Sequence, residues 1–144
     1  MRKLVFIIQP LFLLACINEN TLHSSFPAQS LHANSAKVWI LSNSSKPNDN
    51  RITQMKAYRK TFTFYSNFSF REQELIHLGS NEGLIGKYKI EEDGTANFQL
   101  TLEYQAQQSE RYTILNIGDD NLRLQDIEGD HTEWELETLK PPTL

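Results

Sequence analysis

The sequence predicts an all-β domain, a small antiparallel up-and-down barrel of about eight strands. Most of the chain after residue 60 alternates apolar and polar residues, with the two-residue period of a half-buried strand. Turn signals such as Asp93-Gly94 separate these runs at close, even spacing. Successive tight turns favour an up-and-down order over a Greek key. The same rhythm also fits a sandwich, but closure into a barrel would leave no exposed sheet edge, and we favour the barrel.

The first strand is predicted at residues 36–42, where Trp39 and Leu41 share one face. A loop rich in Asn, Ser and Asp follows at residues 43–50. Residues 51–58 fit either one turn of helix or an irregular strand, because their apolar side chains match both periods. We favour a loop with one helical turn.

Residues 60–74 predict a hairpin with an aromatic inner face. The alternation runs in two halves, and Ser66-Asn67 interrupts it with a residue type that tolerates turn geometry. Each half places a pair of Phe residues on one face of its strand. The four residues are Phe62, Phe64, Phe68 and Phe70.

The later part of the chain repeats the strand and turn pattern. Further strands are predicted at residues 83–91, 95–104, 111–117, 122–125 and 132–137. Pro141-Pro142 ends the pattern, since proline cannot donate to a strand ladder. The barrel domain is therefore expected at residues 36–140, with residues 141–144 as a tail.

The first fifteen residues differ in character from the rest and predict a signal peptide. Arg2 and Lys3 form a short basic head, and residues 4–12 are almost wholly apolar. That apolar run is too short to span a bilayer as a helix.

Leu13-Leu14-Ala15-Cys16 resembles the lipobox of bacterial lipoproteins in residue order, in spacing and in distance from the start. The resemblance implies cleavage before Cys16 and acylation of that residue, with diacylglycerol and chains such as palmitate. Acylation would also account for a lone thiol, because Cys16 is the only Cys in the chain. Several acyl chains would hold the protein firmly on a membrane.

Residues 16–35 are predicted to be a flexible tether, since they are polar and have no sustained period. Docking of Phe26 and Leu31 on the domain is an alternative for part of this segment. Asn18 at the second position after Cys16, by resemblance to enterobacterial sorting, favours the outer membrane, on its periplasmic or its surface face. Removal of Arg2 and Lys3 leaves 12 basic against 18 acidic side chains, a formal charge of −6. An acidic chain with no basic cluster argues against nucleic acid as a partner.

Several motifs of the domain are similar to those of the lipocalin-like lipoproteins of Bacteroidetes. They are Trp39 early in the first strand, the Phe62/Phe64 strand, Gly86-Lys87-Tyr88, and Tyr112-Thr113-Ile114 followed by Leu122-Arg123-Leu124. The similarity covers about residues 37–139. It implies an eight-stranded barrel and supplies no catalytic residues. The loop before residue 60 lacks the Gly-rich turn found in many members.

A set of aromatic residues on the strands has two interpretations. The residues are Trp39, Phe62, Phe64, Tyr88, Phe98, Tyr104, Tyr112 and Trp134. They either line a cavity for an apolar ligand or fill the core, because an eight-stranded barrel is just wide enough for side chains or one small ligand. We favour a filled interior. The tyrosines argue for a wet pocket, since buried hydroxyls need hydrogen-bond partners.

The sequence offers little support for an enzyme, a metal or a cofactor. The four His residues are scattered without ligand spacing, and no nucleophile elbow or phosphate-binding loop is present. The carboxylates, Glu72 and Glu74 among them, are interpreted as a solvated outer face. Asp119-Asp120-Asn121 and Glu128-Gly129-Asp130 match no complete calcium loop and are interpreted as turns.

The sequence thus predicts a lipid-anchored lipoprotein of the cell envelope with a barrel that acts as a binding module. The ligand would be a small apolar molecule or an envelope protein. The alternative is a protein-interaction lipoprotein, such as an inhibitor or accessory subunit, with a filled barrel and no small-molecule ligand.

Overall fold

Eight antiparallel strands form a closed barrel in a computed structural model that describes residues 26–49, 51–52 and 55–140. Each strand pairs with the next along the chain, and the last pairs with the first. The strands are β1 (Ala36–Ser44), β2 (Lys60–Tyr65), β3 (Ser69–Glu74), β4 (Leu84–Glu92), β5 (Phe98–Tyr104), β6 (Ser109–Ile117), β7 (Asn121–Asp126) and β8 (Glu133–Thr138). The predicted all-β up-and-down barrel of eight strands is therefore confirmed.

Three short helical segments accompany the strands in the part of the chain that the structure describes. Helix α1 spans Ala28–His32, and 3-10 turns lie at Lys56–Tyr58 and Leu75–His77. The first 3-10 turn agrees with the helical turn expected within residues 51–58. The second was not predicted, because its Leu and Ile residues are also compatible with a strand.

The β4–β5 hairpin forms as its Asp-Gly signal predicts. Gly94 has a φ of +81°, a conformation that glycine adopts without steric cost. The Asp93 carboxylate accepts hydrogen bonds from the backbone N–H groups of Thr95 and Asn97, at 2.8 and 3.3 Å. The turn thereby satisfies its own backbone donors.

The β2–β3 hairpin differs from its prediction at Phe68. Asn67 accepts a hydrogen bond from the backbone N–H of Ser69, and Phe68 lies within the turn with a φ of +62°. The Phe68 side chain is 53% exposed, whereas Phe70 is buried. The prediction that Phe68 resumes the inner face is wrong, because the turn includes one residue more than Ser66-Asn67.

The two ends of the barrel are built differently. The closed end comprises α1 and the turns that join β2 to β3, β4 to β5, and β6 to β7. The open end comprises the long β1–β2 connection and the loops that join β3 to β4, β5 to β6, and β7 to β8. The chain enters the described structure at Phe26, whose ring contacts that of Phe98 at 5.1 Å.

Helix α1 covers the closed end and inserts Leu31 fully into the core. The indole Nε1 of Trp39 donates a hydrogen bond to the Leu31 carbonyl at 2.9 Å. Lys37 lies over the Trp39 ring, 4.3 Å from its centroid. Its ammonium group donates to the carbonyls of Ser30 and Asp119, at 2.9 and 2.6 Å. These contacts join α1 to β1 and to the β6–β7 turn.

The flexible tether predicted for residues 16–35 is therefore corrected for residues 26–35, which pack on the barrel. The physical reason is that several contacts act together: Leu31 is buried, the Phe26 ring packs on Phe98, and Trp39 and Lys37 donate to carbonyls of the segment. Together they offset the conformational entropy lost when the segment is ordered. The docking of Phe26 and Leu31, raised as an option from the sequence, is what the structure has. Cys16 and the rest of the tether, the signal peptide and the tail lie outside the described residues.

Replacing Leu31 with Ala should lower the free energy of unfolding by about 2–5 kcal/mol, because a fully buried side chain is lost from the closed end. Urea unfolding followed by tryptophan fluorescence would measure the loss. The matched control is Gln29→Ala on the exposed side of the same helix, which should change stability by less than about 0.5 kcal/mol. Equal effects of the two substitutions would contradict the docking of α1.

Candidate binding site at the open end

The aromatic residues singled out from the sequence meet in one core. Phe98 is half-buried against that core, and the other seven are buried. The buried seven are Trp39, Phe62, Phe64, Tyr88, Tyr104, Tyr112 and Trp134. Phe64 contacts Tyr88 edge-on with ring centroids 5.1 Å apart, and Tyr112 contacts Trp134 at 4.9 Å. Rings at these separations pack against one another.

The tyrosine hydroxyls find partners within the protein. Tyr88, near the closed end, donates to the Tyr65 carbonyl at 2.9 Å. Tyr104 and Tyr112, near the open end, donate to carboxylates, each at 2.5 Å. The argument for a wet pocket from these residues therefore does not hold, since the chain itself satisfies their hydroxyls.

A network of tyrosines and carboxylates lies across one side of the open end. Tyr104 donates to Glu72 at 2.5 Å and also lies 3.1 Å from Glu110, which accepts a hydrogen bond from the Tyr112 hydroxyl. Lys60 forms an ion pair with the other oxygen of Glu72. The network links β2 and β3 to β5 and β6. We name it the tyrosine–glutamate network.

The strand register explains why this network forms inside the barrel. Glu72 is opposite Phe62, and Glu110 is opposite Leu102, so both carboxylates lie on the inner face. Between β3 and β5, Gly86 is paired with both Phe70 and Tyr104. A Cβ at Gly86 would lie 2.7 Å from the Phe70 ring and would clash with a β5 carbonyl. The missing side chain lets the Phe70 and Tyr104 rings meet at 5.1 Å.

The interpretation of Glu72 as part of a solvated outer face is wrong, because its side chain is buried. The alternation contains the signal that would have found it, since Glu72 is two residues beyond the inward Phe70. Glu110 likewise precedes the inward Tyr112 by two residues. The interpretation as an outer face was based on the charge of these residues. The two-residue period of a strand applies to polar side chains as well, and it places both residues on the inner face.

Burial raises the pKa of all three inner tyrosines. The pKa of Tyr88 rises to about 12 for that reason alone. The pKa of Tyr104 is raised by burial and then by the charge of Glu72, and that of Tyr112 by burial and then by Glu110. These hydroxyls therefore remain neutral donors around neutral pH.

On the β1–β8 side of the open end, Arg51 covers Trp134. The guanidinium carbon of Arg51 lies 4.2 Å from the centroid of the Trp134 ring. Arg51 also donates to both oxygens of Asp49, from Nε at 3.0 Å and from Nη2 at 3.3 Å. Ser44 donates to the same carboxylate at 2.8 Å. We name Asp49 and the Trp134 ring face the guanidinium seat.

Two properties of the guanidinium seat bear on what it can bind. Burial raises the pKa of Asp49, but hydrogen bonds from Arg51 and Ser44 outweigh it, so the pKa lies below its ordinary value. Trp134 is 3% exposed, and its Nε1 has no hydrogen-bond partner. Among the described residues it is the sole buried side-chain nitrogen or oxygen in that condition. An unsatisfied buried donor costs about 1–3 kcal/mol.

Clefts adjoin both parts of the open end. One of about 490 Å³ is lined by Lys46, Asn48, Asp49 and Arg51. Another of about 350 Å³ reaches Lys60 and Glu72 and is bounded by the β3–β4 loop. Both clefts are lined by charged and polar side chains, which suits a polar or charged partner group.

Within the described ranges, no group of three or more His, Cys, Asp or Glu side chains is placed to hold a metal ion. The helices of that same part of the chain include none with the length and apolar character needed to cross a bilayer. Comparison with protein-family models, with curated proteins and with solved structures gave no match. The interpretation of this end therefore depends on its own geometry.

The three inner tyrosines should stay protonated until the barrel unfolds at alkaline pH. A raised pKa in the folded state stabilises the fold below the unfolded value of about 10, and this contribution disappears as pH rises towards the folded value. For Tyr88 the loss falls between about pH 10 and about 12. Ultraviolet titration of tyrosinate, with circular dichroism at each pH, would follow it.

The control for this titration is Tyr88→Phe, which removes one late-titrating hydroxyl and leaves the other two. Ionisation of all five tyrosines near pH 10 in a protein that is still folded would contradict the assignment.

Proposed function

We propose that this protein is a lipid-anchored lipoprotein of the bacterial cell envelope that binds a protein partner through the open end of its barrel. In this proposal side chains fill the interior of the barrel. The protein binds a partner at its open end instead of a small ligand inside the barrel. In this proposal the protein is an inhibitor or accessory subunit and not an enzyme.

The packed interior is the observation that carries the proposal. Seven aromatic side chains predicted to line or fill the barrel are buried against one another, and Leu31 closes the end opposite the loops. We assign binding to the open end, where the connections between strands are longest and two clefts are lined by charged side chains. A small apolar ligand inside the barrel has less support, because the inner tyrosine hydroxyls are already paired.

The sequence at Cys16 supports the anchor through its similarity to a lipobox, and Asn18 favours the outer membrane. The docking of residues 26–35 adds a spatial argument. Since the chain reaches the barrel at the closed end, a lipid at Cys16 leaves the open end free for a partner. The formal charge of −6 after cleavage suits a partner with a basic surface.

Cys16→Ser should move the protein from the membrane fraction to the soluble fraction, because acylation at the thiol is the proposed anchor. Fractionation with detection by an epitope at the C-terminus would measure the shift. Mass spectrometry of the unsubstituted protein should find the acyl chains on Cys16. Retention of the Ser variant on membranes would refute the anchor.

A photo-crosslinking amino acid in the open end should capture a discrete partner, whereas one in the closed end should not. Ala106 in the β5–β6 loop and Ser66 in the β2–β3 turn are exposed and provide the matched pair of positions. Crosslinking in intact cells, followed by mass spectrometry, identifies the products.

Excess untagged protein must reduce capture of the partner by competition. Capture must also be observed when the protein is expressed at its native level. Equal capture from both positions, or capture from Ser66 alone, would contradict the assignment of the open end. This test is independent of the fractionation of the Cys16 variant.

A further inference from the structure

We propose that the guanidinium seat, formed by Asp49 and the face of Trp134, is the recognition site for an arginine side chain of the protein partner. In the free protein its own Arg51 occupies the seat and is displaced on binding. The inference depends on the proposed function in one respect, the use of the open end as the binding surface.

The seat has the two elements that a guanidinium group prefers. Arginine offers a planar fork of donors that matches a carboxylate, and its flat face stacks on aromatic rings. Asp49 accepts from two nitrogens of Arg51, and the indole of Trp134 lies beneath the guanidinium carbon at 4.2 Å. The Arg51 contacts are direct evidence that a guanidinium fits here.

The carboxylate of the seat is held in place before any ligand arrives. Ser44, at the end of β1, donates to Asp49, which is 9% exposed. Trp134 is fixed by its register opposite Ser44 and Leu124, and by the contact with the Tyr112 ring. Asp49 lies in the β1–β2 connection, and it also accepts from the backbone N–H of Arg51 at 3.0 Å, a contact that does not require the Arg51 side chain. The strand position of Trp134 and these fixed donors to Asp49 keep the seat in place when the arginine in it is exchanged.

The unpaired Nε1 of Trp134 is a second feature of the aromatic half of the seat. With Arg51 over the ring, this buried donor has no hydrogen-bond partner among the described residues. The contacts of Arg51 therefore leave the polar groups of the seat incompletely satisfied.

Competition by Arg51 sets the affinity that the free protein would show. A tethered group competes at an effective concentration in the millimolar range, so an isolated arginine binds weakly while Arg51 is present. Removal of Arg51 ends this competition. The apparent affinity then rises by a factor of one over the fraction of protein molecules whose seat is free of Arg51. A partner regains the difference through its other contacts with the open end.

The test uses the full-length protein purified from membranes and a blocked arginine, N-acetyl-arginine-methylamide, as the probe. Arg51→Ala should bind it at least about tenfold more tightly than the unsubstituted protein, measured by calorimetry or by chemical-shift titration. Blocked lysine should bind Arg51→Ala several-fold more weakly, because its ammonium group has no planar fork. Adding Asp49→Asn to Arg51→Ala should abolish arginine binding.

The matched control is Arg123→Ala, which removes an arginine paired with Glu133 on the outer wall and should behave as the unsubstituted protein. Arg51→Gln is a second variant that keeps more of the side-chain volume. Equal probe affinity with and without Arg51 in a folded variant overturns the proposal. Unfolding of both Arg51 variants also overturns it, because Arg51 would then be a structural clamp.

Agmatine, which has the guanidinium but no peptide carbonyls, separates a protein arginine from a free small cation. Tighter binding of agmatine than of blocked arginine would overturn the assignment to a peptide. Absence of arginine binding together with retained crosslinking from Ala106 would refute this inference alone. Loss of crosslinking from Ala106 would refute the open end as the binding surface.

Discussion

Closure of the sheet is the constraint on which the rest of this structure depends. The pairing of β8 with β1 leaves no free edge and fixes eight short strands around a narrow interior. The chain has one Cys, so no intramolecular disulfide can contribute. The stability of the barrel must therefore come from the side chains that fill it, and the large aromatic residues supply most of the buried area.

The two ends use the same narrow interior in opposite ways. At the closed end, Leu31 completes the core, and the hydrogen bond from Trp39 satisfies a helix carbonyl. At the open end the inward positions carry Glu72 and Tyr104, which satisfy each other and reach Lys60. Packing is complete where the chain enters the barrel, and charge is concentrated where the loops are longest. In the proposed function, this asymmetry is the reason for assigning recognition to the open end.

The sequence predicted the elements better than the contacts between them. Strand alternation and the Asp93-Gly94 turn are local signals, so the strands and their order could be predicted from neighbouring residues. Phe68 was misplaced because the alternation does not reveal that its φ is positive. The docking of Leu31 could not be predicted with certainty, since it depends on a cavity at the end of a barrel that residues far along the chain create.

In the candidate site, too, local features could be predicted from the sequence, whereas contacts between distant residues could not. The alternation of side chains along β3 alone places Glu72 on the inner face. Its pairing with Tyr104 also depends on Gly86, which has no side chain and lies between β3 and β5. Arg51 and Trp134 are separated by most of the domain, and no periodic signal links them. Contacts of this kind are set by barrel closure, which brings β8 beside β1 and its following loop.

The polar groups of the open end contribute little to the stability of the free barrel. The Lys60–Glu72 ion pair, in which the carboxylate is buried and the lysine is partly exposed, gains little net stability, because desolvation of the carboxylate offsets the attraction. An unpaired indole N–H at Trp134 lowers stability further. Apolar side chains of similar volume would pack this end more favourably. The stability of the free barrel therefore does not account for these polar groups, which is consistent with the proposed recognition role of the open end.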